Sequence, residues 1–551
     1  MLVRSMAPRR LASLLLVPAL LASTQAFGWA NTKTQAMPLS KAVNLGPVAA
    51  ATPMNVVVGL KLRNRAQLDS FITHLVTSGD SAYGQLMPES VFAANHAPTP
   101  AQVKAVTDYL ASQGFTSIDV AGNKLLIRAS ATAAIVQKAF NTSLVRYQTG
   151  GRTVFTNIKP AQVPDALAGA VLNISGLNNL GVFKGHTQAA PDLFNSTIGY
   201  TAQNFWSAYD AWPAPWAWGV SIAIIMAGET STIISDLHDY RVAMGLGDVP
   251  VTAIETGAPN HDDSGRGEWA MDTQTSTGMA GNVGRLYLYN AAASFTPELA
   301  VAINRFVTEN AAIAASASVG ICEVLPYLSG DMELIDQSLA YGIAAHGQTL
   351  FAASGDAGSA CSVAVNAGAP LSGPPMQEYP ATSPYAVAVG GTTLLVDSGF
   401  NYSQEIAWNG TGGGPSYFEP APAWQANHAP LKAVGRGVPD IALDADPNTP
   451  ALVYMSGGQN FIGGTSLSSP LALGVWARVI AQRGGWLGFA APHFYALEPK
   501  LIQAPQLPKP EQTGFHDILA GCNGLYCATP KWDYVSGVGT PDVAKLANLI
   551  Y

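Results

Sequence analysis

The feature that most constrains the fold of this sequence is an almost wholly apolar run at residues 220–226. A strand without polar alternation must be buried on both faces, as in a parallel sheet covered by helices. Further apolar runs lie at residues 251–254, 285–289, 312–318, 349–353, 385–389 and 451–455. Helical stretches such as 296–309 and 331–346 separate them. This alternation predicts an α/β domain with a doubly wound parallel sheet.

A smaller unit precedes this sheet. Strand-like and helical segments alternate in it, at residues 54–60, 65–76, 99–113, 124–128 and 131–140. Their alternation predicts a compact α+β domain. The domain should end before a linker near residues 182–195, which contains Gly185, His186, Thr187, Gln188 and Pro191. Residues 31–48 are small, polar and patternless, so we expect them to form a flexible lead.

The N-terminus is typical of a secretory signal peptide within residues 1–30. Three arginines precede the apolar segment 11–22, and small residues follow around Ala26 or Ala30. About a dozen apolar residues are too few to cross a bilayer. We therefore expect a secreted, extracellular protein with no membrane or nucleic-acid partner, and a monomer.

The length and composition are consistent with this. At 551 residues the chain is long enough for two domains. Charged residues make up only 12% of the sequence, about half the usual share, so the surface depends little on ionised carboxylates. Such a surface suits a protein that works in acid, although ordinary secreted proteins can also have low charge.

A glycine-rich bend at residues 463–470 places Ser466 at the start of a helix. An apolar run, 453–455, lies upstream, and residues 471–480 favour a helix. At such a turn a hydroxyl and a backbone N–H can face one cleft, as a nucleophile and half of an oxyanion hole require. The alternative is that Thr465 or Ser466 only caps an ordinary helix.

Glu268 and Asp272 are candidates for the base that a nucleophilic serine needs. Their i, i+4 spacing puts both carboxylates on one face of a helix, where one can raise the pKa of the other. The alternative is a solvated helix face. The residues between them, Trp269, Ala270 and Met271, favour a partly buried pair.

Asp356 follows the apolar run 349–353 and lies next to Gly355. By itself an Asp-Ala-Gly sequence is typical of a turn. Beside a nucleophile, a carboxylic acid kept protonated can donate a hydrogen bond to a developing oxyanion, together with the backbone N–H of Ser466.

Together these motifs resemble the sedolisins, the serine-carboxyl peptidases. The resemblance rests on Glu268-x-x-x-Asp272, on Ser354–Gly358 and on Gly464-Thr465-Ser466-x-x-x-Pro470, and extends to 380–384, 389–392 and 436–442. It covers roughly residues 48–551. One departure is Gly463, where many relatives have serine, at a position that supplies no catalytic atom.

The resemblance implies a subtilisin-like fold that hydrolyses proteins and peptides. It implies Ser466 as the nucleophile, Glu268 as the general base, Asp272 as the carboxylate coupled to it and Asp356 as the oxyanion partner. It also implies a kumamolisin-type activation propeptide at residues 48–182, which acts as an intramolecular inhibitor, and a catalytic domain at 195–551.

Four cysteines allow three pairings in an oxidising compartment. Cys522 and Cys527 are close enough in sequence to bridge one local loop. That leaves Cys322 with Cys361, a pairing that the resemblance supports. Neither pair has Cys-x-x-Cys spacing, so zinc binding is not expected.

The resemblance also implies one structural calcium ion near the C-terminus. The implied ligands are Asp517, Ile518, Thr529, Lys531 and Asp533, where carboxylates and backbone carbonyls would supply the oxygens. Relatives commonly have glycine at 529 and 531, and Lys531 brings a positive charge close to the ion. Asp517 could instead be a simple turn residue.

Two other functions remain open at this point. Asp272, His346 and Ser466 occur in the order of a conventional subtilase, which would work at neutral pH. However, His346 ends a predicted helix, with Gly347 as its C-cap. A secreted binding protein with an inactive peptidase fold is the second alternative.

The charge distribution predicts a zymogen that acid activates. Residues 31–190 carry 13 Lys and Arg against 6 Asp and Glu (+7), and residues 191–551 carry 12 against 30 (−18). We expect the basic propeptide to be attracted to the acidic catalytic domain. Protonation of carboxylates near pH ~4 should weaken that attraction, so that the enzyme cuts its linker near 182–195.

Overall fold

The computed structural model describes residues 28–189, 199–361, 375–425, 435–485, 487–497 and 510–550. The expected signal peptide lies almost wholly outside these residues, as does the second half of the expected linker. Within the described part of the chain, no helix combines the length and the apolar character needed to span a bilayer.

The N-terminal domain is an α+β unit, as predicted. Its central sheet is antiparallel, with strands in the order Thr116–Val120, Leu126–Thr132, Pro53–Leu60 and Val171–Ser175. A second sheet consists of Val43–Pro47, Leu144–Thr149 and Arg152–Asn157. The helices are Arg65–Val76, Glu89–Asn95, Pro100–Gln113 and Ala133–Ala139. We call this domain, from residue 28 to about 182, the prodomain.

The expectation of a flexible lead at residues 31–48 is wrong. Trp29–Asn31 pairs antiparallel with Gln162–Pro164, and Val43–Pro47 pairs with Leu144–Thr149. Edge strands offer rows of unpaired N–H and C=O groups, which can bind an extended segment whatever its side-chain pattern. A patternless stretch is therefore ordered here by backbone hydrogen bonds.

The second domain contains an eight-stranded, mostly parallel sheet. Seven strands follow the order Val251–Glu255, Val283–Asn290, Ala217–Met226, Ala314–Ala317, Thr349–Ala353, Val387–Val396 and Tyr402–Ala407. The eighth, Ile441–Asp444, pairs parallel with the middle of Val387–Val396, whereas Tyr402–Ala407 is antiparallel to it. We call this the catalytic domain.

Helices cover both faces of this sheet, which confirms the doubly wound α/β fold. Thr465–Arg483 packs against Arg266–Met279, which also contacts Thr230–Ala243. On the other face Thr296–Glu309 packs against Asp331–His346. Shorter helices are Ala202–Ala208, Val324–Ser329, Ala490–Leu497, Pro510–Thr513 and Val543–Leu549.

One strand was assigned to the wrong sheet. Residues 451–455 form a strand as predicted, but Ala451–Met455 pairs antiparallel with Gly458–Gly463 in a hairpin outside the parallel sheet. Ser456 and Gly457 make the turn with φ values of 56° and 73°, as a tight two-residue hairpin requires. A short apolar run does not reveal which sheet it joins.

The prodomain binds the catalytic domain through what we call the docking surface, centred on helix Asp331–His346. Asp331 is fully buried and accepts hydrogen bonds from Asn173 (3.0 Å) and from Ser175. At the other end of the helix, His346 Nε2 lies 3.0 Å from Glu89 Oε1. The prodomain therefore contacts this helix along its whole length.

Candidate active site

The predicted site residues meet at the carboxyl edge of the parallel sheet. Ser318 follows strand Ala314–Ala317, and Asp356 follows Thr349–Ala353. The N-terminal turn of helix Arg266–Met279 is held at the same edge, because Trp269 Nε1 donates to Ala227 O (3.0 Å) just after strand Ala217–Met226. Parallel sheets commonly form their sites at this edge.

Ser466 is the second residue of helix Thr465–Arg483. Gly464 precedes the helix with φ 111°, a conformation that favours glycine, and the bend turns the serine into the cleft. Ser466 Oγ accepts a hydrogen bond from the backbone N–H of His186 (2.8 Å) and donates to Ser318 O (3.1 Å). The predicted helix start is confirmed, and the hydroxyl faces a bound chain segment.

Glu268 and Asp272 lie one turn apart on helix Arg266–Met279, with exposed fractions of 4% and 0%. The sequence predicted a partly buried pair, and both side chains are in fact buried. Burial raises the pKa of Glu268 to about 7, although the hydroxyl of Ser466 and the charge of His186 lower it in part. Burial, and then the charge of Glu268, raise the pKa of Asp272 well above its usual value.

The unpaired oxygens of this pair suit proton transfer. Asp272 Oδ1 accepts from Ser318 Oγ (2.7 Å), whereas Asp272 Oδ2 and both carboxylate oxygens of Glu268 are buried without a hydrogen bond of good geometry among the described residues. A buried carboxylate pair with free oxygens binds protons readily. When the two acids share one proton, the pair can still accept a second proton on a free carboxylate oxygen.

Asp356 is bound to the start of the serine helix. Its Oδ1 accepts from Thr465 N and Thr465 Oγ1, both at 2.8 Å, and its Oδ2 accepts from Gln188 Nε2 (3.2 Å). Burial raises the pKa of Asp356 to about 6, although His186 and the bonds from Thr465 lower it. A protonated Asp356 can donate a hydrogen bond toward the region next to Ser466.

A segment of the chain itself occupies the cleft. Lys184–Gly185 pairs antiparallel with Val319 and Gly320, and Gln188–Ala189 pairs antiparallel with Ile462 and Gly463. We call residues 184–189 the linker strand. It lies across Ser466 as a bound substrate would, so in this structure the site is closed.

Two residues of the cleft were not singled out from the sequence. Ser318 joins Asp272 to the serine through hydrogen bonds to Asp272 Oδ1 and from Ser466 Oγ. Glu378 Oε2 lies 3.1 Å from His186 Nε2. The role of Ser318 could have been inferred only from its position at the end of a buried strand. No local pattern marks Glu378.

His346 lies away from this cleft. It ends helix Asp331–His346, and Gly347 caps the helix in the left-handed conformation, as predicted. Strand Thr349–Ala353 begins just after it, whereas Asp356 follows the opposite end of that strand, roughly 17 Å further along. His346 Nδ1 binds Val307 O at 2.9 Å. The residues that would form an Asp-His-Ser triad are therefore not brought together.

The C-terminal loop holds the residues expected to bind calcium. Asp517 Oδ2 accepts from Lys531 N (2.9 Å), and Asp533 Oδ2 accepts from Thr529 N (2.8 Å), so both carboxylates point at one loop. Lys531 has φ 73°, so it keeps the backbone conformation of a glycine. The loop thus brings two carboxylates together, and carboxylate oxygens are donors that fit a hard cation.

Other kinds of metal site are not seen in the described ranges. No three or more His, Cys, Asp and Glu side chains there are grouped to hold a metal ion. Calcium at the C-terminal loop would therefore need backbone oxygens in addition to the carboxylates of Asp517 and Asp533.

Both expected disulfides are present. Cys522 and Cys527 close a local loop, and Cys322 is bonded to Cys361, with Cα atoms 5.5 Å apart. The second bond ties the strand Val319–Cys322, which pairs with the linker strand, to the segment that follows Asp356.

Comparisons with known proteins agree with this geometry. The family model described as "Pro-kumamolisin, activation domain" matches residues 40–180. Sedolisin from Pseudomonas sp. (strain 101) is 36% identical over 97% of this chain and 95% of its own. Xanthomonalisin from Xanthomonas sp. (strain T-22) is 32% identical over 95% of this chain and 69% of its own.

A solved structure leads to the same family. It contains Pseudomonas sedolisin, a serine-carboxyl proteinase, in complex with two molecules of pseudo-iodotyrostatin. It is 35% identical and covers 64% of this chain and 98% of its own, with a TM-score of 0.58. The present chain belongs to the sedolisin family and is the precursor of a serine-carboxyl peptidase.

Proposed function

We propose that this chain is a secreted, acid-active serine-carboxyl peptidase in which Ser466 attacks the peptide bond and Glu268 accepts its proton. The observation that carries the proposal is the linker strand, whose backbone lies 2.8 Å from Ser466 Oγ in a cleft that buries the carboxyl groups of Glu268 and Asp272. A bound peptide next to a hydroxyl and proton acceptors is the arrangement that nucleophilic catalysis needs.

In the first step Ser466 Oγ bonds to the carbonyl carbon of the substrate. Its proton passes to Glu268, while Asp272 holds the proton that the two acids share. Asp356, in its protonated form, and the backbone N–H of Ser466 stabilise the negative oxygen that develops. Glu268 then gives its proton to the leaving amine, and an acyl-enzyme remains.

Water completes the reaction. Glu268 removes a proton from a water molecule that attacks the ester, and the carbon–Oγ bond breaks as Ser466 regains its proton. Ser318 supports both steps as a positioning residue, because its hydroxyl binds Asp272 and its carbonyl orients the hydroxyl of Ser466.

Acid activity follows from the protonation states in this scheme. Glu268 must be ionised to act as a base, and Asp356 must be protonated to donate. With the linker strand bound, their pKa values are raised by burial to about 7 and about 6. Loss of the linker strand rehydrates the cleft and should lower both, so we expect a bell-shaped rate profile with a maximum below about pH 6.

Secretion is supported by the sequence of residues 1–30, and the fold narrows the expected site of signal cleavage. Trp29–Asn31 pairs with Gln162–Pro164 inside the prodomain. Cleavage near Ala26 would keep this strand, whereas cleavage after Ala30 would remove most of it. We therefore expect the exported precursor to begin before Trp29.

The decisive experiment measures hydrolysis of a denatured protein by the matured enzyme across pH 3–8, with the Ser466→Ala precursor first cut by wild-type enzyme that is then removed. Ser466→Ala should lose about a millionfold in rate, judged by what loss of such a nucleophile costs elsewhere. Ser468→Ala is a matched control, since its hydroxyl donates a hydrogen bond within the same helix, to Thr465 O. A wild-type enzyme without hydrolytic activity would favour the inactive binding protein, and a maximum above neutral pH would contradict the carboxylate base.

We also propose that the C-terminal loop binds one structural calcium ion through Asp517, Ile518, Thr529, Lys531 and Asp533. Calcium would neutralise the two carboxylates and tie the loop together. Removing it with a chelator should lower the thermal midpoint, because a ligand at a hundredfold excess over its dissociation constant contributes about 3 kcal/mol. Metal analysis that finds no calcium in active enzyme would contradict this site.

A further inference from the structure

The linker strand pairs with the catalytic domain on both sides of Ser466. Residues 184 and 185 pair with Gly320 and Val319, and residues 188 and 189 pair with Gly463 and Ile462. Only His186 and Thr187 lie between the two paired stretches. An extended peptide fixed at both ends in this way presents one central bond to the nucleophile.

The carbonyl of His186 faces the side of the cleft where negative charge can be stabilised. A Cβ atom built on Gly464 would collide with His186 O and would lie 2.7 Å from Asp356 Oδ2. The carbonyl oxygen and the Asp356 carboxyl therefore border the same small space. The backbone N–H of His186, in turn, lies 2.8 Å from Ser466 Oγ, so the residue is held against the nucleophile.

The residues on either side of His186 meet Glu268. A Cβ atom on Gly185 would collide with the Glu268 side chain, so the bound strand lies directly against this carboxylate. The hydroxyl of Thr187 also interacts with Glu268 and lowers its pKa. Glu268, the proton donor of the proposed mechanism, therefore contacts Thr187, whose nitrogen is the leaving amine of a cut after His186.

The side chain of His186 is buried beside Glu378. It is 7% exposed, and its Nε2 lies 3.1 Å from Glu378 Oε2 above Gly320. Burial alone would lower the pKa of His186, but Glu378, Asp356 and Glu268 raise it to about 9. The imidazole is therefore held as a cation at neutral and acid pH.

From this register we propose that the precursor first cuts itself between His186 and Thr187, with the His186 side chain held by Glu378. The inference rests on the proposed function. Ser466 Oγ bonds to the His186 carbonyl carbon, the bond to the Thr187 nitrogen breaks, and that nitrogen takes the proton from Glu268. Water then releases His186 as the new C-terminus, and the catalytic chain begins at Thr187.

The first test follows conversion of the full-length precursor by intact mass and N-terminal sequencing at early times. The first pair of fragments should end at His186 and begin at Thr187, and the Ser466→Ala precursor should stay intact. A different first bond, in an enzyme that hydrolyses denatured protein, overturns the inference alone. No hydrolysis of any protein overturns the proposed function instead.

A second test uses the matured enzyme and a peptide with the sequence of residues 182–191. We expect cleavage at the same bond. Replacing the histidine by leucine should lower kcat/KM at least about tenfold, because it removes one hydrogen bond between charged groups. In the Glu378→Gln enzyme this preference should disappear. Equal rates for both peptides in the wild-type enzyme would show that Glu378 does not recognise the histidine side chain.

A variant of the full-length precursor tests the contact between His186 and Glu378 in the uncut chain. His186→Leu should slow conversion by a similar factor, whereas His238→Leu should not, since His238 lies on an exposed helix face beside Asp248. Unchanged conversion of His186→Leu at the same bond would show that the contact with Glu378 does not select the residue.

Discussion

Two regions of the interface between the prodomain and the catalytic domain bury ionisable groups, and they differ in what faces those groups. In the cleft, the imidazole of His186 faces the carboxyl groups of Glu378, Asp356 and Glu268. On the docking surface, Asp331 faces neutral donors, namely Asn173, Ser175 and Ser329. The first region is therefore held by charge and the second by hydrogen bonds to a buried acid.

The difference sets the pH range in which each contact acts. The carboxyl groups raise the pKa of His186 from 6.5 to about 9, so its contribution is complete below 6.5 and is lost as pH rises through about 9. Burial raises the pKa of Asp331 from 3.8 to about 6, so its contribution is complete below 3.8 and is lost as pH rises through about 6.

Acid does not weaken the Asp331 contact. Between pH 6 and 4 the imidazole of His186 stays protonated and the Asp331 contribution grows. We infer that acid acts on this precursor mainly by permitting the cut, and that the cut prodomain stays bound afterwards. Cleavage and release are then separate events, which the following experiments can separate.

The largest expected effect distinguishes the chemistry of the cleft from the docking contact. Glu268→Gln and Asp272→Asn should each lower the rate of the matured enzyme by about 10³-fold, because each removes a proton acceptor or its partner. His346→Ala removes the contacts with Val307 and with Glu89 of the prodomain, both away from the cleft, and should leave that rate nearly unchanged. Rates on a denatured protein provide the measurement, and a greater loss for His346→Ala would restore the subtilase alternative.

The second effect concerns the cleft alone. In the Ser466→Ala precursor, the linker strand should open about a hundredfold more readily at pH 9.5 than at pH 7, because the raised pKa of His186 is then crossed. Hydrogen exchange of residues 184–189, corrected for intrinsic rates, provides the measurement. With His186→Leu added, this pH dependence should vanish, and its persistence would assign the effect to another group.

The third effect concerns the docking surface. In the cut complex, release of the prodomain should slow by up to about a hundredfold as pH falls from 7 to 4, following the pKa shift of Asp331. Asp331→Asn should flatten this dependence, since the amide takes up no proton. Gel filtration after timed incubation measures the release. An unchanged slope in Asp331→Asn would exclude Asp331 as its cause.

The fold was largely predictable where periodicity and capping agree. The predicted helices at 296–309 and 331–346 coincide with Thr296–Glu309 and Asp331–His346, and left-handed Asn310 and Gly347 end them. The pairing of residues 29–31 and 43–47 was not predictable, because backbone hydrogen bonds between distant segments leave no mark on the side-chain pattern.

The site likewise contains residues that the sequence predicts and residues that it does not. Ser466, Glu268, Asp272 and Asp356 lie in local motifs, so each could be named before the fold was known. Glu378 and the register of the linker strand could not, because both depend on how the linker is bound in the cleft. The sequence around His186 is short and polar, and only its register against Val319 and Gly463 gives it a function.

The smallest expected effects come from exposed charge. The prodomain region, residues 31–190, carries +7 and residues 191–551 carry −18. The pair Lys33–Glu333 is 3.1 Å apart but 60% and 43% exposed, so solvent screens it and its worth is about 0.2–1 kcal/mol. Lys33→Ala should therefore speed release only about two- to fivefold, and Lys104→Ala, which removes an ion pair within the prodomain, is a matched control.

Summed over the whole interface, this attraction weakens as pH falls, which is opposite to the change in the Asp331 contribution. Carboxylates that hold the basic prodomain lose their charge near pH ~4, whereas Asp331 has by then gained its full contribution. Release should therefore be slowest near about pH 4–5 and speed up below it, and high salt should speed it at pH 5 but hardly at pH 3. Release that accelerates steadily from pH 7 to 4 would mean that charge outweighs the buried acid. A release rate at pH 5 that does not depend on salt would mean that the opposite charges of the two domains do not hold them together.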